Sequence, residues 1–110
     1  MKIASVQLRA RGISEYHKAQ EDILCQIDAA AAQGAELIVL PECAYPAYFL
    51  ELEPQAVKKA LNRTEEVLAS VKTKARELGV YVALGIALPE GDRLYNAAVL
   101  IDDRGEIVHR

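Results

Sequence analysis

A short, uninterrupted apolar run constrains the fold of this chain more than any other feature. Residues Leu37-Ile38-Val39-Leu40 follow Glu36 and are stopped by Pro41. A continuous apolar run of this length predicts a central strand that is buried on both faces, as in parallel sheets. The apolar content of 52% fits such strands, or a surface that something outside these 110 residues would cover.

The segment before this strand has helical periodicity. Apolar residues recur at helical spacing between Tyr16 and Ala31, Ser14 is placed to cap the helix, and Gly34 follows its end. Cys25 falls inside this helix and is interpreted as a packing residue. A first strand over residues 2–8, the helix and the strand at 36–40 form a βαβ unit with an expected right-handed crossover.

The second half of the chain changes character. After a loop over residues 41–53, a helix is predicted from Pro54 to Leu61, and a second helix ends at Gly79, with Asn62 and Glu65 placed as a capping box. Strands are predicted over residues 80–88, 95–101 and 106–109, separated by turns at 89–92 and 102–105. This order predicts an α/β fold in which a mixed sheet carries helices packed on one face.

The composition argues against several classes of function. A formal net charge of −3 does not favour binding to nucleic acid or to an anionic membrane. No apolar stretch approaches the roughly 20 residues of a transmembrane helix. Cys25 and Cys43 lack the spacing of a zinc site or a redox pair, and no phosphate-binding loop is present. We expect no metal, no cofactor, no nucleic-acid partner and no membrane contact, and a cytoplasmic location with free thiols.

Glu42 is the candidate catalytic residue. It follows the apolar strand, at the edge of an open α/β sheet where ligands bind. Pro41 holds the chain as it leaves the sheet, and a carboxylate between the strand and an aromatic loop should be partly desolvated. Desolvation raises the proton affinity of a carboxylate and suits it to general-base catalysis. The alternative is a structural carboxylate that caps a helix or pairs with an arginine.

Neighbouring side chains have competing interpretations. On an extended segment Cys43 would point away from Glu42, and it is interpreted as a packing residue rather than a nucleophile. Tyr48 is a candidate substrate-binding residue, with anchoring of the loop as the alternative. Asn96 interrupts an apolar strand, where it either satisfies backbone groups or touches substrate.

Several segments, taken in order, resemble the nitrilase superfamily of carbon–nitrogen hydrolases. They are Lys2–Leu8, Glu36-Leu37-Ile38-Val39-Leu40-Pro41-Glu42, Ala75–Gly85, Leu94–Ile101 and Gly105–Val108. The resemblance implies an α-β-β-α sandwich and a Glu–Lys–Cys triad, in which a cysteine attacks a nitrile or amide carbon, a glutamate is the general base and a lysine stabilises the oxyanion. Only the glutamate has a counterpart here, Glu42, since neither Cys25 nor Cys43 occupies the place of the nucleophile.

The resemblance further implies that residues 1–110 are the N-terminal portion of an incomplete hydrolase domain. The expected substrate is a small-molecule, non-peptide amide, or a nitrile, and the complete protein is expected to be a homo-oligomer that needs no cofactor. Two alternatives remain open at this point. The chain could be non-catalytic, either a pseudoenzyme or a subunit that assembles with a complementary chain, or it could be an unrelated α/β binding module.

Overall fold

Residues 1–47 and 54–110 are described by a computed structural model, and the statements below concern these two ranges. The elements in chain order are β1 (Ile3–Ser5), a 3-10 turn (Ile13–Glu15), α1 (Tyr16–Ala32), β2 (Leu37–Val39), α2 (Pro54–Asn62), α3 (Thr64–Leu78), β3 (Tyr81–Glu90), β4 (Arg93–Ile101) and β5 (Ile107–His109). The order of helices and strands is the one that the sequence predicts.

The strands form one five-stranded mixed sheet whose spatial order, β1-β2-β3-β4-β5, follows the chain. The pairs β1–β2 and β2–β3 are parallel, with Ile38 between Ala4 and Val82. The pairs β3–β4 and β4–β5 are antiparallel. The α/β start followed by hairpins, expected from the sequence, is confirmed.

Helices α1 and α3 pack against each other and cover one face of the sheet. Their buried side chains meet alternate residues of the strands, as the period of two requires. The core cluster includes Ile23, Ile27, Val67, Val71 and Ala75 from the helices and Ile38, Val82, Leu84, Ile86, Val99 and Ile101 from the strands. The predicted placement of helices on one face is thus confirmed.

The opposite face of the sheet, which we name the open face, carries no helix in the two described ranges. It consists of the strand residues that alternate with the core set, among them Ile3, Leu37, Tyr81, Ala83 and Ala98. Ile3 is 58% exposed and Tyr81 is 39% exposed, although both side chains have mostly apolar surfaces. In the sandwich implied by the resemblance, a second sheet would cover this face.

Both predicted helix caps are wrong. Ser14 lies inside the 3-10 turn, so α1 begins at Tyr16 without a side-chain cap. Asn62 is the last residue of α2, and Arg63 occupies the cap position of α3, also without a side-chain hydrogen bond. In each case the N-cap lies one residue after the predicted capping side chain, at Glu15 and at Arg63.

Cys25 is exposed, which contradicts its interpretation as a packing residue. The core side of α1 is set by Ile23 and Ile27, which are completely buried and four residues apart. A residue two positions after Ile23 is rotated by roughly 200° around the helix axis, and therefore faces away from the sheet.

The two hairpin turns differ in how well the sequence predicts them. The first is shorter than expected, because Pro89 and Glu90 still pair with β4 and only Gly91 and Asp92 connect the strands. The second matches: Asp102 is 3% exposed and its Oδ1 accepts hydrogen bonds from the backbone N–H groups of Glu106, at 2.8 Å, and Arg104, at 3.0 Å. These bonds lower the pKa of the Asp102 carboxyl.

Candidate active site

Glu42 lies on an arch that rises from the sheet between two points of pairing. Val39 pairs with Ala83 in the regular ladder, and Tyr45 pairs with Ile86 through an isolated parallel bridge. The chain takes six residue steps between these points while β3 takes three, so the extra length must leave the plane of the sheet. We call residues 40–44 the arch.

Main-chain hydrogen bonds fix both ends of the arch. The N–H of Leu40 donates to the carbonyl of Ala83 at 2.9 Å, and the N–H of Ala44 donates to the carbonyl of Gly85 at 2.9 Å. Beyond the arch, the N–H of Ala87 donates to the carbonyl of Tyr45 at 3.0 Å. The position of Glu42 is therefore set by the backbone of β3 on either side of it.

Gly85 is the residue over which the arch passes. A Cβ placed on Gly85 would lie 2.3 Å from the carbonyl oxygen of Pro41, 2.7 Å from Cα of Glu42 and 2.9 Å from the amide nitrogen of Cys43. All three contacts are to backbone atoms, which cannot swing aside as a side chain can. The close backbone approach that the sequence predicts at Gly85 is confirmed, and its neighbour is the candidate residue itself.

Tyr45 anchors the arch from below. Its ring is completely buried, and its hydroxyl donates to the carbonyl oxygen of Ala60, in α2, at 2.7 Å. Burial raises the pKa of Tyr45 to about 12, since the phenolate would be poorly solvated there. Loop anchoring, one of the roles open to the aromatic residues of this segment, is thus the role of Tyr45.

Glu42 and Cys43 converge on one partner, Asn96 of β4. The Nδ2 group of Asn96 donates to Oε1 of Glu42 at 2.6 Å, and Sγ of Cys43 donates to Oδ1 of Asn96 at 3.6 Å. The expectation that Glu42 and Cys43 point in opposite directions is wrong, because Cys43 has a φ of +48° rather than an extended backbone. Its thiol is half-buried, not buried as a packing residue would be.

Asn96 is the residue whose interaction sequence reasoning missed. It bonds to two side chains, rather than to backbone groups at the start of a strand. It lies within β4, opposite Ala87 of β3, on the open face. The available signal was an amide side chain in the middle of an apolar strand, where asparagine is disfavoured.

Glu42 is exposed, which contradicts the expected partial desolvation. The expectation assumed that the strand and the following loop would enclose the carboxylate. The arch instead carries Glu42 towards the open face, where it shares a shallow surface depression with Val39, Ala83 and Ala98. Within the described ranges, hydrogen bonding by Asn96 rather than burial distinguishes the surroundings of this carboxylate.

A cavity of about 290 Å³ adjoins the arch at the carboxyl ends of β1 and β2. Its lining is mostly small and apolar, with three charged side chains, and comprises Leu8, Arg9, Ala10, Ala19, Asp22, Pro41, Glu42, Cys43, Ala44 and Ala47. The Nε and Nη2 groups of Arg11 donate to the two carboxylate oxygens of Asp22, at 2.8 and 3.3 Å, and the hydrogen bond from Arg11 lowers the pKa of Asp22. This pair ties the loop after β1 to α1.

Tyr48, the candidate substrate-binding residue, lies outside the described residues. Within the described ranges, no group of three or more His, Cys, Asp or Glu side chains could hold a metal ion. In those same ranges, no helix has the length and apolar character needed to cross a bilayer.

The sequence of residues 2–110 matches the family model described as carbon-nitrogen hydrolase. The chain belongs to the carbon–nitrogen hydrolase family. The match extends over the arch, Gly85 and Asn96 alike, so the described site lies wholly inside the family's domain. The nitrilase-superfamily resemblance found in the sequence is thereby confirmed.

Curated relatives of this chain include nitrilases and omega-amidases. A nitrilase from Pyrococcus abyssi is 35% identical over 111 residues, which cover 97% of this chain and 41% of the relative. An omega-amidase from Xenopus laevis is 32% identical over 84 residues, which cover 74% of this chain and 29% of the relative. The chain thus spans less than half the length of these relatives.

Solved structures share the fold of this chain. An amidase from Nesterenkonia sp. superposes with a TM-score of 0.80 at 24% sequence identity, covering 99% of this chain and 41% of the amidase. The NitFhit protein of C. elegans superposes with a TM-score of 0.81 at 21% identity, covering 96% of this chain and 26% of that protein. The α/β class and the mixed sheet expected from the sequence are those of these structures.

Proposed function

We propose that residues 1–110 form the first part of a carbon–nitrogen hydrolase that acts on a non-peptide amide, and that Glu42 is its general base. The observation that carries the proposal is the arch, which holds the backbone of Glu42 over Gly85 at the carboxyl edge of β2. A base must be held in a fixed position to take a proton in the transition state. Backbone pairing on both sides of the arch supplies that position.

The reaction would be nucleophilic catalysis in which Glu42 accepts the proton of an attacking thiol. The thiolate adds to the amide carbon, ammonia or an amine leaves with a proton returned by Glu42, and water then releases the acid. The family resemblance assigns the nucleophile to a cysteine and oxyanion stabilisation to a lysine, neither of which corresponds to a residue of this chain. In the proposal both come from further residues of a complete hydrolase, which we call the whole hydrolase.

Three observations on relatives and structural neighbours support an amide as the substrate class. Omega-amidases are among the curated relatives, as are nitrilases. A double mutant of the Nesterenkonia amidase, with a glutamate changed to glutamine and a cysteine to alanine, forms a complex with acrylamide. Another mutant carries the acetamide moiety of fluoroacetamide at its active-site cysteine. Nitriles are the second substrate class to test.

The substitution Glu42→Gln in the whole hydrolase tests the role of Glu42. Glutamine keeps the Oε1 acceptor that Asn96 requires but cannot take a proton, so kcat should fall by about 10²- to 10⁴-fold. The melting temperature should change little, because Glu42 is exposed. If Glu42 has only a structural role, Glu42→Gln should instead lower the melting temperature and leave kcat nearly unchanged. A destabilised but fully active variant would therefore show that Glu42 is not the general base. Glu36→Gln, at an exposed carboxylate on the opposite end of β2, is the matched control.

The open face favours a second candidate, a non-catalytic subunit that assembles with a complementary chain. Its apolar side chains, Ile3 and Tyr81 among them, offer a sheet surface that another layer could cover. Acid production from amides separates the two candidates. Turnover that is lost in Glu42→Gln supports the hydrolase, whereas an inactive whole protein that binds a partner through the open face supports the subunit.

A further inference from the structure

Asn96 is an unusual residue at its place in the sheet. It lies within β4, which pairs with β3 on one side and β5 on the other, and its neighbours on the same face are Leu94 and Ala98. Asparagine is depleted in strands because its short amide competes for backbone groups. Its amide instead bonds to the arch, with Nδ2 donating to Glu42 and Oδ1 accepting from Cys43.

The chemistry of an amide suits the support of a base. The Nδ2 group donates a hydrogen bond to the ionised form of the carboxylate, which favours that form and restricts rotation of the side chain. An amide does not titrate, so it supplies this restraint over the whole working pH range. A lysine or arginine at the same place would form an ion pair, which weakens the basicity of the carboxylate more strongly than a neutral donor does.

We propose that Asn96 is a positioning residue for Glu42, holding Oε1 through Nδ2 while its Oδ1 restrains Cys43 on the arch. The inference rests on the proposed function, since it needs Glu42 to be the base. Asn96 is itself held by the ladder between β3 and β4, where it pairs with Ala87. The backbone pairing under the arch and the Asn96 side chain therefore each restrict the position of the Glu42 carboxylate.

Substitutions at Asn96 in the whole hydrolase test the inference. Asn96→Ala removes the donor, and kcat should fall by about 10- to 100-fold with KM nearly unchanged, the range for a hydrogen bond to a charged group. Asn96→Gln retains an amide and should recover part of the rate. Leu94→Ala, at an exposed residue on the same strand and face, is the control and should behave as wild type.

The pH profile separates positioning from mere packing. Loss of the donor should move the acidic limb of kcat/KM to higher pH in Asn96→Ala, and further in Asn96→Asp, where a second carboxylate disfavours ionisation of Glu42. Among the described residues that line the cavity beside Glu42, the other ionisable groups are the Cys43 thiol, the Arg9 guanidinium and the Asp22 carboxylate. They are unchanged across the series, so the ordered shift reports on Asn96. A packing role does not produce an order set by charge.

The outcomes are distinguishable from those that test the proposed function. If Glu42→Gln is inactive while Asn96→Ala and Asn96→Asp keep the wild-type rate and pH profile, the positioning role is overturned and the general base stands. If Glu42→Gln is fully active, both fall together. If Asn96→Ala merely unfolds, the comparison of Asn96→Asp with Asn96→Gln, which differ in charge and donors, still decides the question.

Discussion

The Cα atom of Glu42 lies directly above Gly85, so close that a Cβ on Gly85 would be 2.7 Å away from it. This contact joins the candidate base to the middle of β3. The height of the arch above the sheet therefore depends on the absence of a side chain at Gly85 as well as on the backbone pairing at both ends of the arch.

We expect Gly85→Ala to disturb the arch. The added methyl group would meet backbone atoms of Pro41 and Glu42 at 2.3 and 2.7 Å, and neither can move without breaking the pairing around the arch. Overpacking of this kind costs about 1–3 kcal/mol of unfolding free energy, and the whole hydrolase should lose most of its activity. Urea unfolding and kcat measure the two effects.

Gly79→Ala is the control for Gly85→Ala. Gly79 has a φ of +65° and open space around its Cα, so alanine there strains the backbone without touching the arch. It should lower stability and leave kcat intact. An active Gly85→Ala hydrolase would show that the arch tolerates displacement of Glu42.

Tyr45→Phe should cost about 1 kcal/mol of unfolding free energy at neutral pH, because it removes one buried hydrogen bond. The cost is limited since the carbonyl of Ala60 also accepts a hydrogen bond from the N–H of Arg63, at 3.1 Å. The advantage of tyrosine should disappear at high pH. A raised pKa of about 12 in the folded protein, against an ordinary 10.0, means that stability is present below pH 10 and is lost as the pH rises towards 12.

Denaturant unfolding of wild type and Tyr45→Phe at pH 7, 10 and 11.5 measures this convergence. A constant difference between the two proteins across the range would show that Tyr45 ionises as readily in the folded chain as in the unfolded one. Tyr95→Phe, at a 44% exposed tyrosine, controls for general effects of tyrosine ionisation.

Asp102→Asn should make the chain less sensitive to acid. The pKa of Asp102 is lowered by the backbone N–H groups of Glu106 and Arg104, so its contribution is present above the ordinary value of 3.8 and is lost as the pH falls through the lower, folded value. Asparagine keeps an acceptor but carries no charge. The variant should therefore be less stable than wild type at pH 7 and approach it near pH 2, as followed by thermal unfolding.

Asp103→Asn provides the comparison for Asp102→Asn, as its carboxylate lies in the same turn and is exposed. It should leave the acid limb of the stability curve in place. If the stability of Asp102→Asn and that of Asp103→Asn depend on pH in the same way, the hydrogen bonds of Asp102 make no specific contribution to acid sensitivity.

Cys43→Ala in the whole hydrolase should keep most of the activity. The family resemblance assigns the nucleophile to a different cysteine, and the Cys43 thiol donates a hydrogen bond to Asn96, so the substitution is expected to cost about 1–2 kcal/mol of stability rather than the chemistry. Steady-state kinetics and the melting temperature separate these effects. A folded but inactive Cys43→Ala protein would make Cys43 part of the chemistry.

The isolated chain should self-associate through the open face. Ile3 and Tyr81 are exposed there, and apolar surface on a sheet promotes association. A double substitution, Ile3→Lys with Tyr81→Lys, should lower the apparent mass in sedimentation experiments. Leu78→Lys, at a 39% exposed residue of α3, should not. A monomeric wild-type chain would show that the open face is tolerated in water.

The sequence predicts the sheet more fully than it predicts the site. The apolar run at residues 37–40 and the periodicity of α1 both predict which residues are buried, and Ile38 and Ile23 are indeed completely buried. Glu42 and Gly85 also carry local signals, a carboxylate after a strand and a glycine within one.

The contact between Asn96 and Glu42 could not be predicted in the same way. It joins residues 54 positions apart, and it depends on the register of β4 against β3 and on the left-handed backbone of Cys43. The hydrophobic periodicity of the sequence determines neither the strand register nor the backbone conformation of Cys43. The exposure of Glu42 was missed for a related reason, because the height of the arch follows from pairing at Tyr45 and not from the polarity of its own residues.

The sequential order of the strands has a consequence for the time at which the site forms. Each strand pairs with the one made just before it, so the sheet can grow outward as the chain leaves the ribosome. The arch can settle on β3 once residue 87 is available, whereas the amide of Asn96 arrives only with the β3–β4 hairpin. A nascent chain therefore holds Glu42 at its height above the sheet before Asn96 can bond to its carboxylate.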